Sequence, residues 1–253
     1  GIYDRHSTTM ITMAKAINDI KKKQVKRGED PIIDYDITQQ FLDRFYKSRI
    51  GIRVLLGHFL ELFQDGDGNG NDVGVVCLNT NVEKILTDVV NDVSFVCDRN
   101  DYLMPDVQIN GVTGIELMYI PTHLYYVLFE IVKNAVKATN DIGENHNGHV
   151  SIDCFADNNW VILRVSDNGI GIKKHNLDAV WNYFYTTSQS EIDIDEFLDE
   201  DFGTSTPLSG LGYGLPISRL YTRYFGGDLK ICSRYGGQDS GTDVYLVLKK
   251  EHL

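Results

Sequence analysis

The hydrophobic period of this chain changes once, across Gln64-Asp65-Gly66-Asp67-Gly68-Asn69-Gly70-Asn71-Asp72. Ahead of that stretch the apolar residues recur every three or four positions. Met10, Met13, Ala14, Ile17 and Ile20 lead to the basic run Lys21-Lys22-Lys23, and Phe41, Leu42, Phe45, Leu55, Phe59 and Leu62 follow. This is amphipathic-helix spacing, interrupted at Gly28-Glu29-Asp30-Pro31. It predicts an antiparallel helical pair, the second helix running from about Asp36 to Phe63. Beyond the stretch, short alternating runs intersperse with helical ones. The pattern predicts strands over Val73 to Leu78, Val107 to Asn110 and Glu116 to Ile120, a hairpin of His149 to Phe155 with Asn159 to Ser166, and two last strands, Asp228 to Ser233 and Thr242 to Leu248. Helices are expected over Asn79 to Cys97, Thr122 to Thr139, Asn176 to Tyr183 and Gly214 to Phe225. The fold class is therefore α+β, with residues 1–66 a helical hairpin and 67–253 an α/β sandwich with helices on one face of a mixed sheet.

Composition excludes several classes. The chain has 253 residues, 42% hydrophobic and 11% aromatic, enough for a packed core. No run of 18 apolar residues occurs, so no membrane span is expected. Net charge is −12, from 36 acids and 24 bases, which argues against a nucleic-acid binder working through a general basic field. A nucleotide binder stays open, since one pocket can be locally positive. Cys77, Cys97, Cys154 and Cys232 form no C-x-x-C pair and read as free thiols in a reducing compartment. Asp65, Asp67, Asn69 and Gly70 fit the first half of a calcium loop, but the required Glu at its twelfth position is Val76, so a hinge is expected instead. His146 and His149 have no third ligand nearby for zinc.

Three motifs carry chemistry. On the helix from Thr122, Glu130, Asn134 and Lys137 sit at i, i+4 and i+7, within about 60° of one another and opposite the apolar stripe of Leu124, Leu128, Ile131, Ala135 and Ala138. An acid can take a hydroxyl proton, an amide oxygen can bind Mg²⁺, and a lysine can meet a phosphate. The second motif, Asp167-Asn168-Gly169-Ile170-Gly171-Ile172, closes the strand Trp160 to Val165. Its glycines allow close backbone approach to a ligand, and its carboxylate can accept from an exocyclic amine. The third, Ser209-Gly210-Leu211-Gly212-Tyr213-Gly214-Leu215-Pro216, leads into a helix whose N-terminus and free N–H groups suit phosphates. Each motif alone also fits an ordinary wet helix face, an Asn-Gly turn or a helix start.

In this order, with an irregular lid between the last two and Gly241-Thr242 before the final strand, the motifs resemble the GHKL ATP-binding family. The resemblance implies a Bergerat-type sandwich holding ATP beneath a lid at about 186–212. Four further segments are similar to the mitochondrial α-keto acid dehydrogenase kinases of that family: Phe41 to Ile50, Leu128 to Ala135, Tyr183 to Thr187 and Gly212 to Tyr221. The resemblance implies a serine kinase of the matrix that inactivates a dehydrogenase complex by phosphorylating its α subunit. Arg44-Phe45-Tyr46 and Tyr213 to Ile217 lean to the pyruvate branch; Val73 to Cys77, Ile109 to Gly111 and Gly241 to Leu246 lean to the branched-chain branch. Pyruvate dehydrogenase is slightly favoured.

The family implies roles for matching residues. Glu130 would be the general base, Asn134 the Mg²⁺ ligand and Lys137 a phosphate contact. Asp167 would accept from the adenine amine, with Gly169, Gly171, Ile172 and Thr242 beside it. Thr186, Thr187, Gly210, Leu211, Gly212, Tyr213, Gly214 and Leu215 would close over the phosphates. Implied cofactors are ATP or ADP and Mg²⁺, with potassium also allowed. Implied partners are the dehydrogenase α subunit, the lipoyl-bearing core and a second copy in a homodimer.

Departures are visible too. Tyr126 stands where the pyruvate branch commonly has a His. The stretch 191–201 holds Glu191, Asp193, Asp195, Glu196, Asp199, Glu200 and Asp201, with no Lys or Arg from 188 to 210. Only the last two bundle helices are recognisable, and the pyruvate branch's Asp-Trp tail is not, so a fragment is expected. Rival readings are a GHKL-type ATPase with Glu130 activating water, a histidine kinase catalytic domain, and a non-catalytic nucleotide-binding module.

Overall fold

The computed structural model describes residues 12, 13, 16, 17, 35–64, 72–143, 147–186, 212–237 and 239–250. The expected basic run, calcium-like stretch and acidic lid segment fall outside them, as does the expected domain boundary.

Helix α1 spans Tyr35–Gln64, close to the expected range. Strands β1 (Asp72–Val73) and β2 (Val76–Asn81) form a hairpin rather than the single expected strand. Gly74 makes the turn at φ +60, and a side chain there would collide with the His58 ring of α1. Helix α2 covers Val82–Arg99, starting three residues later than its apolar spacing suggests. The Asn81 side chain accepts from the Lys84 N–H at 2.9 Å, so the cap sets the start. Strands β3 (Asp106–Asn110) and β4 (Glu116–Tyr119) follow, then helix α3, Pro121–Asn140, with proline in its first turn. The hairpin β5 (His149–Ala156) and β6 (Trp160–Asp167) leads to two 3₁₀ turns, Lys174–Asn176 and Ala179–Trp181. These replace the expected helix over 176–183. The chain ends with α4 (Gly214–Tyr224), β7 (Asp228–Arg234) and β8 (Gly241–Lys249).

The class is α+β as expected, but the strands make two sheets. One is three-stranded, ordered β1-β2-β4, and the other five-stranded, ordered β3-β5-β6-β8-β7. In the larger sheet β3 runs parallel to β5 and every other pairing is antiparallel. Strict alternation decides its faces. Val161, Leu163 and Val165 of β6 and Val244, Leu246 and Leu248 of β8 are buried, while the residues between them are half-exposed. Helix α3 lies on the buried face and is packed on its flanks by α2 and α4. It is therefore buried nearly all round, with Leu124, Leu128, Ile131, Val132 and Val136 in the core.

A second, smaller cluster joins α1 to the rest. Leu42 and Tyr46 of α1 meet Tyr183, Tyr213 and Ile217. Gln39 brackets the Tyr183 backbone, accepting its N–H at 2.8 Å and donating to its carbonyl at 3.4 Å. The Tyr183 hydroxyl donates to Asp43 at 2.8 Å.

Leu128 is fully buried where α3 crosses the sheet. The substitution Leu128→Ala should lower unfolding stability in urea by about 3 kcal/mol through lost transfer energy and a residual cavity.

Candidate functional site

The end of β6 is built around one carboxylate oxygen. Asp167 Oδ1 accepts from the Gly169 N–H at 2.9 Å and from the Thr242 N–H at 3.2 Å. Those two bonds fix the carboxylate across the β6–β8 pair, where Asp167 is registered with Thr242. Burial pushes the Asp167 pKa up to about 6, against the pull of the two N–H donors.

The glycines stand where a side chain cannot. A Cβ at Gly169 would lie 2.5 Å from the Ala138 carbonyl carbon, so this turn is pressed directly onto α3. The Ile170 N–H donates to the Ala138 carbonyl at 3.1 Å. Gly171 has φ +75, and its Cβ would lie 1.9 Å from the Arg234 carbonyl oxygen. Ser233 ties the same turn to β8. Its hydroxyl accepts from the Ile172 N–H at 2.8 Å, donates to the Gly241 carbonyl at 2.9 Å and sits 2.9 Å from the Thr242 hydroxyl. Asn168 braces the turn from outside, accepting from the His149 N–H and donating to the Asn147 carbonyl. The structure thus brings Asp167, Gly169, Gly171, Ile172 and Thr242 together. Sequence reasoning missed Ser233, whose partner Ile172 is 61 residues away.

Glu130 is the second centre. The spacing argument puts it on a polar face of α3, but it is 8% exposed, because α4 covers that side. Its Oε1 accepts from Lys133 Nζ at 2.7 Å, and Lys133 is itself 2% exposed. A Cβ on Gly214, the first residue of α4, would lie 2.1 Å from Glu130 Oε2. The carboxylate therefore sits against the helix N-terminus, where the positive end of the dipole favours it. Lys133 is a second candidate-site residue that sequence reasoning passed over; the Glu-x-x-Lys spacing was its signal. Asn134 is half-buried one position on, and no hydrogen bond of its side chain occurs among the described residues. Lys137 pairs with Asp141 at 2.9 Å.

The glycine-rich motif is described from Gly212. Gly212 has φ +74, and its Cβ would lie 2.5 Å from the Tyr185 carbonyl oxygen. Tyr213 is buried and Leu215 packs on the main core. Thr186 is exposed, close to this contact in the chain. Thr187, Gly210 and Leu211 lie outside the described residues. Tyr126, one turn before Glu130, packs on Tyr221 with ring centres 5.3 Å apart. Its phenol is pushed well above the usual range by burial and by the Glu130 charge. Among the described residues no group of three or more His, Cys, Asp or Glu could hold a metal ion, and no helix is long and apolar enough to cross a membrane.

Residues 119–252 match the family described as histidine kinase-, DNA gyrase B- and HSP90-like ATPase. That match takes in α3, both glycine motifs and the strand carrying Thr242. The chain belongs to this family. Residues 1–77 match the family described as mitochondrial branched-chain alpha-ketoacid dehydrogenase kinase. Over 98% of the chain, a Schizosaccharomyces pombe protein named pyruvate dehydrogenase (acetyl-transferring) kinase, mitochondrial, is 34% identical, covering 57% of that protein. The human isozyme 1 of the same name is 33% identical over 98% of the chain and 56% of its own length. The Arabidopsis thaliana kinase is 34% identical over 97% of the chain and 65% of its own length. The chain thus spans 56–65% of the length of these curated relatives. The matched residues include both the β6 turn and the α3–α4 junction.

The Lys133–Glu130 pair is buried, so removing one partner strands the other. Lys133→Met should cost roughly 3 kcal/mol of stability. The double variant Lys133→Met/Glu130→Gln should recover more than half of it, read by urea unfolding of all four forms.

Proposed function

We propose that the chain is the nucleotide-binding and phosphoryl-transfer portion of a mitochondrial protein kinase. It transfers the γ-phosphoryl group of ATP to a serine on the α subunit of an α-keto acid dehydrogenase complex. The observation that carries this reading is the Glu130 carboxylate, oriented by Lys133 and set against the N-terminus of α4. A carboxylate held this way has one oxygen engaged and the other facing the helix start expected to cradle phosphates. It is placed to receive a hydroxyl proton as that oxygen attacks phosphorus.

Asp167 supports adenine recognition. Oδ1 is committed to two backbone N–H groups, which leaves Oδ2 to accept from an exocyclic amine, with Gly169, Gly171, Ile172 and Thr242 around it. The N-terminus of α4, with Gly212, Tyr213, Gly214 and Leu215, and the segment from Thr186, would hold the phosphates. Asn134, with its amide uncommitted, fits an oxygen ligand for Mg²⁺, which supplies charge neutralisation between the phosphates when bound. Lys137 would leave Asp141 to contact a phosphate. Relatives named as pyruvate dehydrogenase kinases support the pyruvate complex as substrate; the family matched by residues 1–77 supports the branched-chain complex. The same names support mitochondrial residence, and a lipoyl-bearing core as partner is part of the proposal. The half-exposed outer face of the larger sheet, with Ile162, Tyr245 and Val247, supports a homodimer.

Two outcomes test the reading. With ³²P-ATP, Glu130→Gln should reduce serine labelling of the purified complexes by about 10²- to 10⁴-fold while ATP still binds in a calorimeter. Labelling at the wild-type rate would defeat the assignment. Nucleotide affinity should also depend on pH. The amine needs the ionised carboxylate, and Asp167 titrates at about 6. Affinity should therefore hold above pH 7 and fall as pH drops through 6. Asp167→Asn should lose about 10- to 100-fold in affinity above pH 7, where the wild-type carboxylate is ionised, and flatten that dependence.

A further inference from the structure

Asp167, Thr242 and Ser233 form one row across β6, β8 and β7, each paired in register with the next. Asp167 and Thr242 are in phase with the buried residues of their strands, so the row lies on the helix-facing side of the sheet. Both are buried, and a polar atom left facing a mismatched partner there is costly.

The hydrogen of Ser233 has one place to go. A serine hydroxyl offers one hydrogen and two lone pairs. The Ile172 N–H can only donate, and it takes one lone pair at 2.8 Å. The Gly241 carbonyl can only accept, and it takes the hydrogen at 2.9 Å. The third contact, Thr242 Oγ1 at 2.9 Å, meets the remaining lone pair, so Thr242 is the donor. The two backbone partners are held in place. Ile172 follows Gly171, which is pressed on the Arg234 carbonyl, and a side chain on Gly241 would collide with the Asp167 carbonyl. With its hydrogen on Ser233, Thr242 shows only lone pairs to anything beside it. Asp167 does the same when ionised, since Oδ1 holds two N–H groups and Oδ2 can only accept. This end of the sheet is a floor of acceptors.

We propose that Ser233 is a positioning residue that sets nucleotide specificity: by holding the Thr242 hydrogen away from the ligand, it makes the site select a purine nucleotide with an amine at C6 and reject one with a carbonyl there. The inference rests on the reading of Asp167 and Thr242 as purine-binding residues. A C6 amine brings two N–H donors to two acceptors. A C6 carbonyl brings lone pairs against lone pairs, and the Thr242 hydroxyl cannot rotate to donate to it. Buried polar groups left unpaired in this way give a site its discrimination. Ser233 acts only through Thr242 and needs no contact with the nucleotide.

Calorimetric binding of ATP and inosine triphosphate with Mg²⁺ at pH 8, where Asp167 is ionised, tests this without any transfer reaction. The wild type should bind ATP at least about 100-fold more tightly. In Ser233→Ala the Thr242 hydroxyl can turn and donate, so the preference should narrow about 10-fold, chiefly through tighter inosine triphosphate. Ser233→Thr, which keeps a hydroxyl, should hold the wild-type preference. The triphosphate of 6-methoxypurine riboside, whose C6 oxygen accepts while N1 stays as in ATP, should gain in Ser233→Ala as inosine triphosphate does. A role confined to bracing the turn would weaken every nucleotide alike; an unchanged ratio therefore overturns the proposal. So does a wild type that binds ATP and inosine triphosphate equally, or a gain seen with inosine triphosphate alone, which would mean that its N1 hydrogen is read instead. Thr242→Val removes the hydroxyl at nearly constant shape and serves as the second arm should Ser233→Ala not fold. It should cost ATP about 10-fold and inosine triphosphate less than about twofold, and equal losses overturn the proposal. All of these outcomes leave ATP bound and the nucleotide reading standing. A wild type that binds no nucleotide, or Asp167→Asn with full ATP affinity at pH 8, defeats that reading and this inference with it.

Discussion

A buried ion pair on a helix with almost no free face is the constraint around which the molecule is arranged. Helix α3 has the larger sheet beneath it, α2 and α4 beside it, and still carries Glu130 and Lys133 inside. Two charges taken from water cost several kcal/mol each unless they meet at short range. They do so at 2.7 Å, and the first turn of α4 supplies further positive potential. The packing of α4 on α3 therefore cannot slide. Gly214 must lie against the carboxylate, and any side chain there would push the helices apart.

The other centre obeys a different logic. Around Asp167 the structure uses backbone rather than charge: two N–H groups on one oxygen, and glycines pressed on Ala138 and Arg234. Four chain segments meet there: the C-terminal part of α3, the turn after β6, the end of β7 and the start of β8. Ser233 is the small polar group that lets three of them share one hydroxyl. The result is a rigid acceptor at one side of the site and a charged one at the other, both referred to the same helix.

Much of this was legible because polar residues stood out against apolar periods. Asp167 closes an alternating strand, and Glu130 shares one side of a helix with Asn134 and Lys137, away from its apolar stripe, so both were found from spacing. The same argument put Glu130 on a wet face, since a period reports one buried side and says nothing about a second helix covering the other. Lys133 was passed over for that reason. Ser233 had no local signal, since its partners come from the distant β6 turn and from β8, paired only in the fold. Over 176–183 the helical pattern gave way to 3₁₀ turns because Tyr183 is held in place by Gln39 and Asp43 of α1. Phe184 takes a positive φ of 68, which no helix tolerates. Tertiary contact there outweighed local preference.

The contact of Gly212 with the carbonyl of Tyr185 has a consequence for how this sequence can vary. It brings the two flanks of residues 187–211 together before those residues contribute anything. The entropy of closing a chain between fixed, adjacent ends rises only as the logarithm of its length, about 0.6 kcal/mol for each doubling. The closure cost therefore changes little with the number of residues between Tyr185 and Gly212.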